Sequence, residues 1–297
     1  MATAAGVAAL REAFARVGYD DHRVDALVRA DGLEVAPGLA VLHLRPQGRD
    51  PLGLLVRLFL SGDELEPDVA ADALAPAALD KLVAAEVLEL TPNGRVRALV
   101  RLTPVRGLIV ASDRRGSGPL RRDHVVYPGP AAATLASLTV RAPVRSTLDL
   151  CCGSGVQALI AARHAERVVG TDLNPRALRL AELSAALSGV TNVEWRQGDL
   201  FEPVAEERFE CVVANPPFVI SPSTDLTFRD AGRRGDELSR EVVTGCADRL
   251  EEGGFGHVLC SWVRGQGEHF SDAPWRAPLA GRTTTRSWAS WRSRPAS

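Results

Sequence analysis

Between about residues 123 and 263, short apolar runs alternate with helical patterns at a spacing that leaves few architectures open. Thr147 to Cys151 reads as a strand, Val156 to His164 as a helix, Arg167 to Thr171 as a strand and Pro175 to Leu187 as a helix. Val193 to Gln197 and Phe209 to Ala214 are further strands, Glu237 to Leu250 a helix and Gly256 to Val263 another strand, with Ala131 to Val140 a helix ahead of them all. Strands separated by helices pair in parallel through right-handed crossovers. The expected fold class is therefore α/β, a Rossmann-like, doubly wound, mostly parallel sheet.

In such a sheet, ligands bind beyond the carboxyl ends of the strands, where the chain reverses direction across the sheet. Asp149-Leu150-Cys151-Cys152-Gly153-Ser154-Gly155 ends the first strand and opens a helix. Glycine at 153 and 155 lets backbone approach a ligand and supplies unusual dihedrals. Asp149 is placed to accept a hydrogen bond from a cationic amino group. Asp172, followed by Leu173 and Asn174, closes the second strand and suits both hydroxyls of a ribose. Asp199 and Leu200 follow the third strand, where a carboxylate can take an adenine amino proton. Gly153-Ser154-Gly155-Val156-Gln157-Ala158 also satisfies the permissive dinucleotide pattern, with Asp172 near the expected distance, so an NAD(P)-dependent oxidoreductase is a rival reading. That rival gives Asp199 and the residues after the fourth strand nothing to do.

Those residues are Asn215-Pro216-Pro217-Phe218. The prolines lack N–H groups and restrict dihedrals, which fixes a loop with free carbonyl acceptors. A conjugated amino group is a poor nucleophile because its lone pair is delocalised. Accepting both its protons, on the Asn215 side-chain oxygen and the Pro216 carbonyl, shifts it toward a tetrahedral nitrogen. Phe218 can stack on the planar group and exclude water.

Taken together, the region from about 123 to 263 resembles a class I S-adenosylmethionine-dependent methyltransferase. Val213-Ala214-Asn215-Pro216-Pro217-Phe218 is similar to the signature shared by adenine-N6 methylases and by HemK-type enzymes that methylate glutamine amides in release factors. The resemblance implies S-adenosyl-L-methionine as cofactor. It implies that Asp149, Cys151, Gly153, Gly155, Asp172, Leu173, Asn174, Asp199 and Leu200 hold it, and that Tyr127-Pro128-Gly129-Pro130 covers its methionine end. Leu226 to Asp230 and Gly235 to Leu238 resemble the HemK-type loop after the signature. The substrate it implies is a protein, release-factor-like, or an adenine in rRNA, tRNA or DNA.

Residues 1–120 read as a separate N-terminal domain for substrate recognition. Val7 to Val17, Asp21 to Ala30, Pro51 to Leu60, Asp68 to Leu74 and Pro76 to Leu88 have helical patterns. Arg95 to Leu102 and Gly107 to Ser112 look like two strands joined by Thr103-Pro104-Val105-Arg106. Short helices followed by a ribbon resemble a winged helix, and Arg95, Arg97, Arg101 and Arg106 along the ribbon would suit nucleic acid. A formal net charge of −2 gives no global support for that partner. Lys81 is the only lysine, so the many arginines look compositional.

After the domain at 121–263, residues 264–297 carry Trp275, Trp288 and Trp291 among Arg, Ser, Thr and Pro, and read as a poorly ordered tail. The family sheet ends in two further strands that this tail does not suggest. Their loss would expose an edge, lower stability, and leave a non-catalytic binding domain as another reading. No apolar run approaches the roughly 18 residues that span a membrane. Met1 to Leu10 lacks a basic leader, the five cysteines lack metal-ligand spacing, and Cys151, Cys211 and Cys260 read as reduced core thiols in a cytoplasmic protein.

Overall fold

The computed structural model describes residues 4–29, 50–115, 119–217 and 236–262. At the N-terminus, α1 (Ala4–Val17) buries Val7, Leu10, Phe14 and Val17 on one face, as helical spacing dictates. It is followed by α2 (Asp21–Arg29). Between them Tyr19 stacks on Phe14 and meets Phe59 edge-on, and its hydroxyl donates to the Leu102 carbonyl at 2.8 Å. Next, α3 (Pro51–Val56) starts where the Asp50 side chain accepts from the Gly53 N–H, with Pro51 in the first turn. It runs into a π-helical turn, Arg57–Ser61, that ends at Gly62 in the left-handed region.

Beyond Gly62 come α4 (Pro67–Leu74), α5 (Leu79–Ala84) and the antiparallel pair β1 (Leu88–Leu90) and β2 (Val96–Ala98), with Leu65 bridged to Val96. Helix, bridge, helix, helix and ribbon follow in this order, so the N-terminal region is helical with a short ribbon. The ribbon differs from the one expected. The helix expected over Pro76 to Leu88 is confined to α5, because Ala78 is extended and Glu86 takes a φ of 55° that turns Leu88 into a strand. The strand expected over Arg95 to Leu102 is split at Leu99. Its first part pairs with β1, while β3 (Val100–Val105) pairs with β4 (Leu108–Asp113). Only Arg106-Gly107, with φ of 51° and 71°, make the turn that was expected to start at Thr103. Pro104 is tolerated in the strand because it faces Ile109 at a non-hydrogen-bonded position, where no N–H is needed by β4.

The second half contains α6 (Pro130–Leu138), β5 (Val144–Leu150), α7 (Val156–Ala161), β6 (Ala165–Asp172), α8 (Pro175–Ser188) and β7 (Val193–Gln197). It continues with β8 (Phe209–Ala214), α9 (Glu237–Arg249) and β9 (Leu250–Val258). The strands form one all-parallel sheet in the order β7-β6-β5-β8-β9. The central strands are apolar on both faces because both are covered. Leu148, Leu150, Val212 and Ala214 pack with Leu238, Val242 and Cys246 of α9, while Cys211 and Val213 pack with Leu135 of α6. The chain reverses across the sheet between β5 and β8. Some boundaries need correction: α7 ends at Ala161 and not at His164, and β9 starts at Leu250, directly after α9, and not at Gly256, and ends at Val258. A register shift between Phe209 and Cys211 accommodates the extra residues, with Phe209 opposite Leu250 and Cys211 opposite Phe255.

The two halves share a core. Leu10, Phe14, Leu74 and Leu102 belong to one buried cluster with Ala177, Leu180 and Leu187 of α8. Phe218, the loop residues Leu226 to Gly235, Val263 and the tail at 264–297 lie outside the described residues.

Candidate active site

The loop from β5 to α7 places three residues in the left-handed region, Cys151 at φ 57°, Gly153 at 54° and Gly155 at 80°. It is pinned by the Cys152 N–H donating to the Thr171 carbonyl at 2.9 Å and the Gly155 N–H to the Cys152 carbonyl at 2.8 Å. The two glycines serve different ends. A Cβ at Gly155 would lie 2.7 Å from the Trp195 ring, so that position is small for packing. A Cβ at Gly153 would meet nothing within 4 Å, so that position faces open space.

Asp149 lies beneath the loop, 1% exposed, and accepts from the Ala158 N–H at 2.8 Å. Burial, helped by the nearby charge of Asp172, pushes its carboxyl up to about 8, while the Ala158 N–H works the other way. Asp172 accepts from the Gly153 N–H at 2.8 Å and the Asn174 N–H at 2.9 Å. Burial raises its pKa as well, and these backbone donors offset part of that rise. Beside it Leu173 leaves 53% of its surface exposed, an apolar face next to a carboxylate. The Asn174 side chain is already engaged: it caps α8 by accepting from the Arg176 N–H and donates to the Asp123 carbonyl. Cys151 and Leu200 pack into the core beneath α9, so what they offer the site is backbone. Asp199 is held at the end of β7 by its N–H donating to the Glu202 carboxylate at 3.2 Å and by the Glu202 N–H donating back at 3.0 Å.

On the other side of the switch point, the register of Leu150 opposite Ala214 puts Asn215 level with Cys151. Asn215 Oδ1 is buried and has no hydrogen-bond partner among the described residues. Pro216, buried, and Pro217, half-buried, follow it. A buried acceptor without a donor is costly, and such groups cluster where a ligand completes them.

Residues 130–256 match the family model described as Methyltransferase small domain. This region is similar to a methyltransferase domain over 130–256. Among its relatives are the release factor glutamine methyltransferases of Xylella fastidiosa, 32% identical over 133 residues, and of Geobacter sulfurreducens, 33% identical over 132 residues. Those matches cover 41% and 39% of this chain and 48% and 45% of the relatives, so the chain spans about half of their length. A longer match, 29% over 242 residues, covers 73% of this chain and 74% of a ribosomal protein uL3 glutamine methyltransferase of Bradyrhizobium diazoefficiens. Residues 33–99 match a second model, described as a Domain of unknown function (DUF7059).

The geometry of the region at 130–256 suits S-adenosylmethionine. The open face at Gly153, the backbone-anchored Asp172 carboxylate and the exposed Leu173 lie close to the carboxyl ends of β5 and β6. The buried Asp149 carboxylate lies under the loop. Sequence reasoning did not find the residues that brace this arrangement. Gln157, buried within the apolar α7, donates to the Ala132 carbonyl at 2.8 Å and ties α7 to α6; a lone polar residue in an apolar run was its only signal. Trp195 fills the space under Gly155 and Gly170. Asp113 and Asp123 reach Arg176 and Asn174 from far upstream and left no local signal.

All five cysteines are free thiols. Burial pushes Cys211 and Cys260 up to about 11 and raises Cys151, Cys152 and Cys246 above the ordinary value, which disfavours a thiolate at each near neutral pH. Among the described residues no cluster of His, Cys, Asp or Glu could hold a metal ion, and no helix is long and apolar enough to cross a membrane.

Proposed function

We propose that the chain transfers a methyl group from S-adenosylmethionine to the side-chain amide nitrogen of a protein glutamine. The observation that carries this reading is the buried Asn215 Oδ1, without a hydrogen-bond partner among the described residues, beside the cofactor loop at the switch point. When bound, S-adenosylmethionine supplies an electrophilic methyl carbon on a sulfonium. Asn215 Oδ1 and the Pro216 carbonyl accept the two amide protons and localise the nitrogen lone pair. The C–N bond then forms as the C–S bond breaks, the electron pair stays on sulfur, and one nitrogen-bound proton leaves to solvent. Asp172 binds the ribose hydroxyls, Asp199 the adenine edge and Asp149 the amino group, while Gly153 admits the cofactor against the backbone.

Support for a protein acceptor over a nucleic acid comes from the ribbon arginines, which are engaged within the protein. Arg95 donates to the Glu64 carbonyl at 3.0 Å and lies 3.5 Å from Glu66, and Arg97 pairs with Glu89 at 2.7 Å. Arg106 donates to Ser137 at 2.7 Å, and Arg101 lies 5.0 Å from the Tyr127 ring centroid. No row of unpaired arginines is left along this ribbon for phosphates. The relatives named for glutamine methylation point the same way.

The test is a labelled-methyl assay of the full chain against release factors, ribosomal proteins, rRNA, tRNA and DNA. Label on a protein glutamine is the expected result. Asn215→Ala is expected to lower turnover by on the order of 10²-fold, the scale of one positioned hydrogen bond in a transition state, with S-adenosylhomocysteine affinity unchanged. Label that appears on nucleic acid alone would overturn the glutamine assignment.

A further inference from the structure

In the β3–β4 hairpin, a two-residue turn makes Val105–Leu108 a hydrogen-bonded pair, so pairing alternates and Ile109, Ala111 and Asp113 turn their backbone groups away from β3. α8 runs along that free edge and takes up the Ile109 groups and the Ala111 N–H, while the Asp113 N–H donates to the Val125 carbonyl at 2.9 Å. The Ile109 N–H donates to Ser188 Oγ at 3.0 Å, Ser188 Oγ returns a bond to the Ile109 carbonyl at 3.2 Å, and the Ala111 N–H donates to Ser184 Oγ at 2.8 Å. The last rung is ionic. Asp113 receives Arg176 Nε at 3.0 and 3.1 Å and a further bond from Nη2, and it accepts the Val125 N–H at 2.8 Å. His124 Nδ1 lies 3.8 Å from the same carboxylate. The Asp113 side chain is 8% exposed and that of Arg176 is 23% exposed, so this pair is largely shielded.

Arg176 lies in the first turn of α8 and is bonded to the turn that precedes it. Its N–H donates to Asn174 Oδ1, the Asn174 N–H donates to Asp172 Oδ1, and Asn174 Nδ2 donates to the Asp123 carbonyl, all at 2.9 Å. We propose that Asp113 is a positioning residue for the cofactor: through Arg176 it holds the Asp172–Asn174 turn in the geometry that receives the ribose, and so makes cofactor affinity depend on how the N-terminal hairpin is seated. The inference rests on the S-adenosylmethionine reading above. Bidentate pairing of guanidinium and carboxylate supplies orientation that a single contact does not, which is why this rung, and not the serine rungs, sets the turn.

A double-mutant cycle on the full chain tests it. Asp113→Asn, Asp172→Asn and the double variant are titrated calorimetrically with S-adenosylhomocysteine, with unfolding midpoints measured alongside. Asp113→Asn is expected to weaken binding by about tenfold, and the double variant to bind within about twofold of Asp172→Asn, because one substitution acts through the other. Losses that multiply, or an unchanged affinity for Asp113→Asn, would overturn the positioning role. Should Asp113→Asn not fold, Arg176→Lys carries the same cycle, since it keeps the charge and loses the fork. Wild-type protein that binds no S-adenosylhomocysteine would overturn the cofactor reading itself, and the inference with it.

Discussion

Asp149 and Asn215 sit at the ends of neighbouring strands, yet their environments ask opposite things of a ligand. Asn215 needs a donor. Asp149 needs a positive charge, because burial makes its ionised form costly. With a folded pKa of about 8 against about 4 in an unfolded chain, Asp149 holds its proton more tightly when folded. Its contribution to stability is therefore full below about pH 4 and is lost as pH rises toward about 8. Asp149→Asn keeps an acceptor for the Ala158 N–H and removes the titration. The unliganded wild type should lose more thermal stability between pH 5 and pH 8 than this variant, and equal slopes would refute a buried titrating carboxylate. A bound ammonium group lowers the same pKa. Calorimetry at pH 7 in buffers of different ionisation enthalpy should accordingly show proton release on binding S-adenosylhomocysteine, absent in Asp149→Asn.

Among the elements, the β5–α7 loop separates two uses of glycine that look alike in sequence. Gly155→Ala must place a methyl against Trp195 and Ala181 at a φ of 80°. A loss of about 2–4 kcal/mol is expected from overpacking and left-handed strain together. Gly153→Ala meets no protein atom within 4 Å and should cost only about 1 kcal/mol, from strain at φ 54°. Its effect should fall on cofactor binding. Denaturant unfolding and S-adenosylhomocysteine titration of both variants measure the contrast, and equal effects on binding and stability in the two would remove the distinction. The hairpin shows the converse limit of local reading: Val, Leu and Ile marked strands correctly, but nothing local said that the chain would break at Leu99 and give its two parts to different partners.

For the molecule as a whole, the buried cluster that joins α1, the π-helical turn and α8 means that the N-terminal half and the half that carries the parallel sheet share apolar surface. Leu180, 6% exposed, sits on that shared face. Leu180→Ala should destabilise by about 2–5 kcal/mol and shift one cooperative transition, seen alike by far-ultraviolet and tryptophan signals. Two separated transitions in the wild type would show instead that the halves unfold independently.

The sequence by itself determined the order of strands and helices from 144 to 258 and, to within a residue, where β5 to β8 end, though not the bounds of β9. Those depend on local periodicity, on apolar runs and on glycine or proline at turns, all of which a chain carries within a few residues. Phe209 to Ala214 and Val193 to Gln197 fall where the pattern put them. Only the tertiary structure decided which donor each carboxylate meets, that Asn215 Oδ1 is left without a partner among the described residues, and that Asp113 grips Arg176 across 63 positions. It also decided that the arginines expected to face phosphate are engaged within the protein. Hydrogen-bond partners and burial are set by segments that pack together from far apart in the chain, and no window along one segment contains them.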